Sequence, residues 1–145
     1  MSIKLLFLSF VIYEKLINSL GLNDRVFLMG YQTNPYKYVS KCDLFVCASY
    51  AEGFSTAATE ALIVGTPVCT VEVSGMKEML GDNNEYGVVV ENNDEALYKA
   101  IKNLFLSFNN NTISFIILLT IKKFHKQRTD ISAVPPLFMK LIIHS

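Results

Sequence analysis

The run Ser49-Tyr50-Ala51-Glu52-Gly53-Phe54-Ser55-Thr56-Ala57-Ala58-Thr59-Glu60-Ala61-Leu62-Ile63-Val64-Gly65-Thr66-Pro67-Val68 decides the fold. Ahead of it, Asp43-Leu44-Phe45-Val46-Cys47-Ala48 is short, apolar and rich in strand formers, and Pro67-Val68-Cys69-Thr70-Val71 is a second such run behind it. The order is strand, glycine-containing loop, helix, strand, which is a βαβ unit. Ser55 or Thr56 can cap the helix, Ala57, Ala58, Ala61 and Leu62 propagate it, and Gly65 followed by Pro67 ends it.

Two glutamates give this unit its chemistry. Glu52 falls in the loop at the carboxyl end of the first strand, where parallel α/β sheets place their ligands. Glu60 falls about one turn inside the helix, on the side of Thr56 by i, i+4 spacing. Between them the amides of Gly53, Phe54, Ser55 and Thr56 open a helix whose amino end carries partial positive charge. Free N–H groups, that positive end and a glycine allowing close backbone approach suit a diphosphate. A carboxylate on each side can accept hydrogen bonds from hydroxyls such as those of a ribose and a sugar. Against this stands the plain alternative of a solvated loop glutamate and an exposed helical one.

Working outward, residues 1 to 12 hold Lys4 and the apolar run Leu5 to Tyr13, which imitates a signal peptide without the small-residue cleavage site. The run is too short to span a bilayer and reads as a strand or the start of a buried helix. Tyr13, Leu16, Ile17 and Leu20 then repeat at helical spacing up to Gly21. Arg25 to Met29 reads as a strand, with Gly30 to Asn34 as the loop at its carboxyl end. Asn34 can cap a helix with Pro35 in its first turn. On the other side, Gly75 to Leu80 makes a short helical turn, Asn83 to Gly87 is turn chemistry, and Val88-Val89-Val90 reads as a buried strand. Asn93 or Asp94 caps a helix in which Ala96, Leu97, Ala100, Ile101 and Leu104 form one apolar stripe.

From Ser107 the pattern changes. A polar break at Phe108 to Asn111 leads into an apolar run from Ile113 to Ile121, a basic cluster from Lys122 to Arg128, and the helix-breaking Val134-Pro135-Pro136. An apolar run followed by basic residues suits an anionic membrane surface, while the plainer reading is an atypical tail.

With 145 residues, 51% of them hydrophobic and 18% charged, the chain can build one core but not two full Rossmann-like domains. Its formal net charge is zero but unevenly placed: after residue 107, Lys122, Lys123, Lys126, Arg128 and Lys140 face only Asp130. The earlier part is acidic, which argues against nucleic acid as a partner. Cys42, Cys47 and Cys69 lack ligand spacing and read as reduced, mostly buried thiols, so a cytoplasmic location is expected and no metal site.

Glu52-Gly53-Phe54 with Glu60-Ala61 and Gly65-Thr66-Pro67-Val68 resembles the E-x7-E signature of the retaining GT-B glycosyltransferases of the "glycosyl transferases group 1" (family 4) set. The flanks agree. Leu20 to Gly30 looks like that family's helix end and strand, and Asn34-Pro35 through Lys41-Cys42-Asp43 looks like its next helix and the aspartate opening the following strand. Ser74-Gly75-Met76-Lys77-Glu78-Met79 looks like its Gly-x-x-Glu turn. The match covers residues 13 to 105. It implies a partial GT-B nucleotide-sugar-binding domain over 1–106, a three-layer Rossmann-like parallel sheet, followed by a divergent apolar and basic tail over 107–145.

By that resemblance the chain is the donor-binding portion of an enzyme that moves a hexose, with retention, from a UDP- or GDP-linked sugar to a glycan or lipid-linked acceptor. No cofactor is implied beyond this substrate. Glu52 is the implied catalytic residue, contacting the sugar and stabilising positive character at its anomeric carbon. The amides of Gly53 and Phe54 would face the sugar, those of Ser55 and Thr56 the phosphates, and Glu60 the ribose. Tyr31, Gln32 and Thr33 lie where the family keeps the nucleobase, or serve only as turn residues. The family's upstream Arg and Lys, which neutralise the diphosphate, have no match near Lys4, and an amino-terminal GT-B domain is the expected missing partner. A non-catalytic nucleotide-sugar-binding module, or the inactive remnant of a truncated glycosyltransferase, is the rival reading. A non-hydrolysing sugar epimerase fits the Glu52 and Glu60 spacing less well. The inner membrane surface is a further expected contact if the tail engages lipid.

Overall fold

The strand β2, Leu44–Ser49, runs through the middle of the protein because both of its faces are apolar. In the computed structural model, which describes residues 3–30, 32–49, 55–73, 75–81, 83–108, 114–122 and 137–144, Phe45 and Cys47 pack on one side of the sheet and Leu44 and Val46 on the other. Burial on both faces is what a continuous apolar run dictates in a parallel sheet.

The elements follow in the order α1 (Ile3–Ser19), β1 (Val26–Gly30), α2 (Tyr36–Val39), β2, α3 (Thr56–Ile63), β3 (Val68–Val71), α4 (Met76–Leu80), β4 (Gly87–Val90), α5 (Asp94–Phe108), β5 (Ser114–Lys122) and β6 (Leu137–His144). Among the described residues the strands form one sheet in the order β1-β6-β5-β2-β3-β4. β2 is parallel to β3, β3 to β4 and β2 to β5, while β6 is antiparallel to both β5 and β1.

Helices cover both faces of the β2–β3–β4 part. On one, Val39 of α2, Ala58 and Ala61 of α3 and Leu80 of α4 close over Phe45, Cys47 and Val68. On the other, Leu97, Ala100, Ile101 and Leu104 of α5 lie on Leu44, Val46 and Cys69. The result is the three-layer Rossmann-like α/β sheet that the sequence predicts. Small Ala58 and Ala61, both 0% exposed, let α3 approach the sheet closely. Buried hydroxyls tie the layers: Thr66 donates to the Val39 carbonyl at 2.7 Å and Thr70 to the Cys47 carbonyl at 3.1 Å.

One local expectation left open is resolved by the structure, and two differ from it. The run from Leu5 to Tyr13, left open between strand and helix, belongs to the helix Ile3–Ser19, whose 17 residues carry the apolar spacing on through Leu16 and Ile17. Asn34 does not cap α2: Pro35, already helical at φ −70° and ψ −23°, holds that position without a side-chain bond, and the helix lasts only four residues. Val88 to Val90 are half-buried rather than buried, because β4 is the outermost strand of its edge. The apolar run of the tail forms β5, which lies beside β2, and residues 137–144 form β6 next to it.

Candidate functional site

The carboxyl end of β2 feeds the amino end of α3 through residues 50 to 54. Glu52, Gly53 and Phe54 lie outside the described residues, as does Tyr31. What the structure does describe is the helix they lead into.

Ser55 is the N-cap of α3, extended at φ −79° and ψ 102°, and its side chain accepts from the Ala58 amide. The serine is buried, with its Oγ 3.8 Å from Cys47 Sγ on β2, so the cap is anchored to the sheet. A cap of this kind takes up one of the helix's first amides, and the amides of Thr56 and Ala57 before it have no acceptor within the helix. Thr56 is exposed. A firmly seated, positively polarised helix end therefore sits at the carboxyl edge of a central strand.

Thr59 locks the next turn. Its hydroxyl donates to the Ser55 carbonyl at 3.0 Å and approaches Met79 Sδ of α4 at 3.1 Å. Glu60, one turn into the helix, is partly exposed. The Tyr36 hydroxyl at the start of α2 is hydrogen-bonded to its carboxylate, and this bond, with the carboxylate's charge, raises the Tyr36 pKa above its ordinary value. Tyr36 is a residue the sequence did not mark; its partner lies on a different helix, and no local pattern announces the pair.

The other candidates divide. Gln32 is half-buried and its side-chain amide donates to the Met29 carbonyl at 2.5 Å, so it closes the turn after β1. Thr33 is exposed in the same bend. The described residues thus bring Ser55, Thr56 and Glu60 together on α3, join Tyr36 to them, and leave Gln32 and Thr33 in the loop after the edge strand β1.

Further along this edge of the sheet, Glu72 follows β3 and holds Lys77 of α4 at 2.6 Å, with both side chains about half exposed. Gly75, at φ 83°, supplies the left-handed turn into α4 that a side chain would strain. Glu78 in that helix is exposed. Burial pushes the Cys69 thiol of β3 up to about 11, which keeps it protonated and unreactive. Among the described residues no group of three His, Cys, Asp or Glu side chains is placed to hold a metal ion, and no helix is long and apolar enough to cross a membrane.

Comparison with known proteins adds to this geometry. The model of the family described as "Glycosyl transferases group 1" matches residues 11–111. Over 91 residues, 61% of the chain, it is 41% identical to the N-acetylgalactosamine-N,N'-diacetylbacillosaminyl-diphospho-undecaprenol 4-alpha-N-acetylgalactosaminyltransferase of Campylobacter jejuni. Over 92 residues, 63% of the chain, it is 35% identical to the poly(glycerol-phosphate) alpha-glucosyltransferase of Bacillus subtilis. A lipopolysaccharide core biosynthesis mannosyltransferase of Rhizobium meliloti is 33% identical over 75 residues, 51% of the chain. The matched stretches span 25%, 14% and 21% of those three proteins.

Proposed function

The chain belongs to the glycosyl transferases group 1 family, and from that premise we propose that it is the donor-binding portion of a retaining GT-B enzyme of family 4, acting on a UDP- or GDP-linked hexose. The observation that carries the reading is the amino end of α3: capped by buried Ser55, with Glu60 one turn in, it stands at the carboxyl end of the central strand β2. That is where a parallel α/β sheet receives a nucleotide, and a helix amino end is suited to its diphosphate.

In this reading the Ser55 and Thr56 amides hold the phosphates and Glu60 accepts from the ribose hydroxyls. Gly53 and Phe54 present amides to the sugar, and Tyr31, Gln32 and Thr33 border the base. Glu52 stabilises the positive charge that develops at the anomeric carbon as its bond to the diphosphate oxygen breaks. The acceptor hydroxyl oxygen forms the new bond on the face the diphosphate leaves, and its proton passes to the departing diphosphate. The diphosphate's charge is assigned to the helix end and to side-chain cations rather than to a metal ion. The acceptor, a glycan or a lipid-linked sugar, is brought by a second domain. The name of one relative supports that class, since it acts on an undecaprenol-linked sugar. Residues 1–106 carry the donor-binding residues, 107–145 supply the strands β5 and β6 that lie between β1 and β2, and the protein works at the cytoplasmic face of a membrane.

Calorimetry with UDP and GDP, followed by a radiolabelled-donor assay, tests the proposal. The chain should bind one of the two nucleotides, with Glu60→Ala weakening it about tenfold, the size of one lost hydrogen bond to a charged group. Glu52→Gln should reduce transfer while leaving nucleotide affinity intact. Failure to bind either nucleotide would overturn the reading.

A further inference from the structure

α2 is too short to be stable by itself, and its position is set by what it is tied to. Within it, the Pro35 carbonyl accepts from the Tyr38 and Val39 amides at 2.9 and 3.1 Å, and the Tyr36 carbonyl accepts from the Ser40 amide at 2.9 Å. Its carboxyl end is fastened to the α3 layer. Val39, 4% exposed, packs with Ala58 and Ala61 of α3, and its carbonyl accepts from the buried Thr66 hydroxyl at 2.7 Å. Just beyond, the Cys42 thiol donates to the Tyr38 carbonyl at 3.1 Å. At the amino end stands Tyr36, which is 42% exposed and whose hydroxyl is bonded to the Glu60 carboxylate on α3. Two helices seated on one core are thereby joined at the surface by a single side-chain bond.

The chemistry of that bond suits a carboxylate that must meet a ligand. A carboxylate offers two oxygens and about four acceptor positions, and one phenol O–H occupies a single one of them. A lysine in the same place would neutralise the glutamate, as Lys77 does for Glu72 at 2.6 Å, whereas a neutral phenol leaves the charge available to incoming hydroxyls. Glu60 is half-buried on a side chain with several rotatable bonds, and ordering such a side chain on binding costs conformational entropy. A tyrosine turns about only two torsions, so on a fixed helix it holds one carboxylate oxygen at little entropic cost. The same segment leads back through Pro35 to Thr33 and Gln32, so the loop after β1 and Glu60 are linked through Tyr36.

We propose that Tyr36 is a positioning residue of the donor site: its hydroxyl fixes the Glu60 carboxylate so that the remaining acceptor positions meet the ribose hydroxyls of the nucleotide. This rests on the donor-binding reading above. Tyr36 acts on the ligand through Glu60, so its effect is confined to ligands that carry those hydroxyls.

The test uses the whole chain, the preferred one of UDP and GDP, and the dideoxyribose form of the same nucleoside diphosphate, with affinities read by calorimetry. Tyr36→Phe keeps the ring and removes the donor. It should weaken binding of the ribose form about fivefold, on the scale of one ordinary hydrogen bond, and leave the dideoxyribose form unchanged. In a Glu60→Ala background the same substitution should cost nothing further, because the two residues act as one unit. A merely structural role would weaken both ligands alike and would add to the loss from Glu60→Ala. Either of those results, or an unaltered affinity of Tyr36→Phe for the ribose form, overturns the role of Tyr36 and leaves the donor site standing. An unaltered affinity of Glu60→Ala overturns it together with the ribose contact. Binding of neither UDP nor GDP by the unaltered chain overturns the donor site as well.

Discussion

The two sides of the sheet are built on different terms. In β2 and β3 every described side chain from Leu44 to Cys47 and from Val68 to Val71 is buried, with helices on both faces. In β1, Phe27 is 41% exposed, and the helix that precedes it leaves Ile12 and Leu16 about half exposed along one side. One region is held by the interior it encloses, and the other by strand pairing with β6. The difference teaches where the site can be rigid: α3 takes its position from the first region, so the cap and Glu60 are fixed by a core to which β1 adds only the half-buried Met29.

Two phenylalanines put that contrast to its hardest test. Phe45→Ala should cost about 3–5 kcal/mol, the range for truncating a buried aromatic, because the 0%-exposed ring fills the space between β2 and the α2–α3 layer. Phe27→Ala should cost less than about 1 kcal/mol, as surface substitutions do. Urea denaturation of both variants measures the gap, and equal losses would break the comparison.

The same contrast explains what could be read from the sequence. β2, α3 and β3 were legible because each carries its own signal: a continuous apolar run, a capping serine, then Gly65 and Pro67. α5 was legible from its stripe, and Asn93 caps it as expected, its side chain accepting from the Ala96 amide at 2.8 Å. The place of the tail was not legible. An apolar run such as Ile113 to Ile121 fits a strand or a buried helix equally, and only pairing with β2, far away in sequence, decides. In the site, the capping of α3 by Ser55 was visible, whereas the Tyr36 bond to Glu60 joins two helices and has no local sign.

Half-buried β4 offers a sharper test, since its exposure predicts tolerance and its backbone predicts the opposite. A Cβ on Gly87 would stand 2.6 Å from the Val68 carbonyl oxygen and 3.0 Å from a Leu80 methyl. Gly87→Ala should therefore destabilise the protein by about 1–3 kcal/mol, the cost of overpacking, although the position is not fully buried. Thermal melting against the unaltered chain is sufficient to measure it. A neutral result would mean that β4 slides freely on β3. Next in size is the cap. Ser55→Ala should cost about 1 kcal/mol, with Ser55→Thr recovering part of it, because the loss is that of one acceptor for the Ala58 amide.

The smallest effects separate core from surface by their response to alkali. Burial raises the Cys69 thiol from 9.0 to about 11, so the folded state keeps a proton that the unfolded chain releases earlier. The stabilisation is present in full below pH 9 and is lost as pH rises through about 11. Tyr36 has the same sign, since its raised pKa also favours the protonated form in the folded state. Its hydroxyl is solvent-exposed, so water screens the effect of Glu60 and the loss above pH 10 should be slight. Denaturation midpoints taken at pH 8 and pH 10.5 should fall more for the unaltered chain than for Cys69→Ala, and only marginally more than for Tyr36→Phe. If Tyr36→Phe removed most of the alkaline loss, the Tyr36–Glu60 bond would be a buried one in solution. The amino end of α3 would then be as enclosed as the strand beneath it, too enclosed to admit a nucleotide.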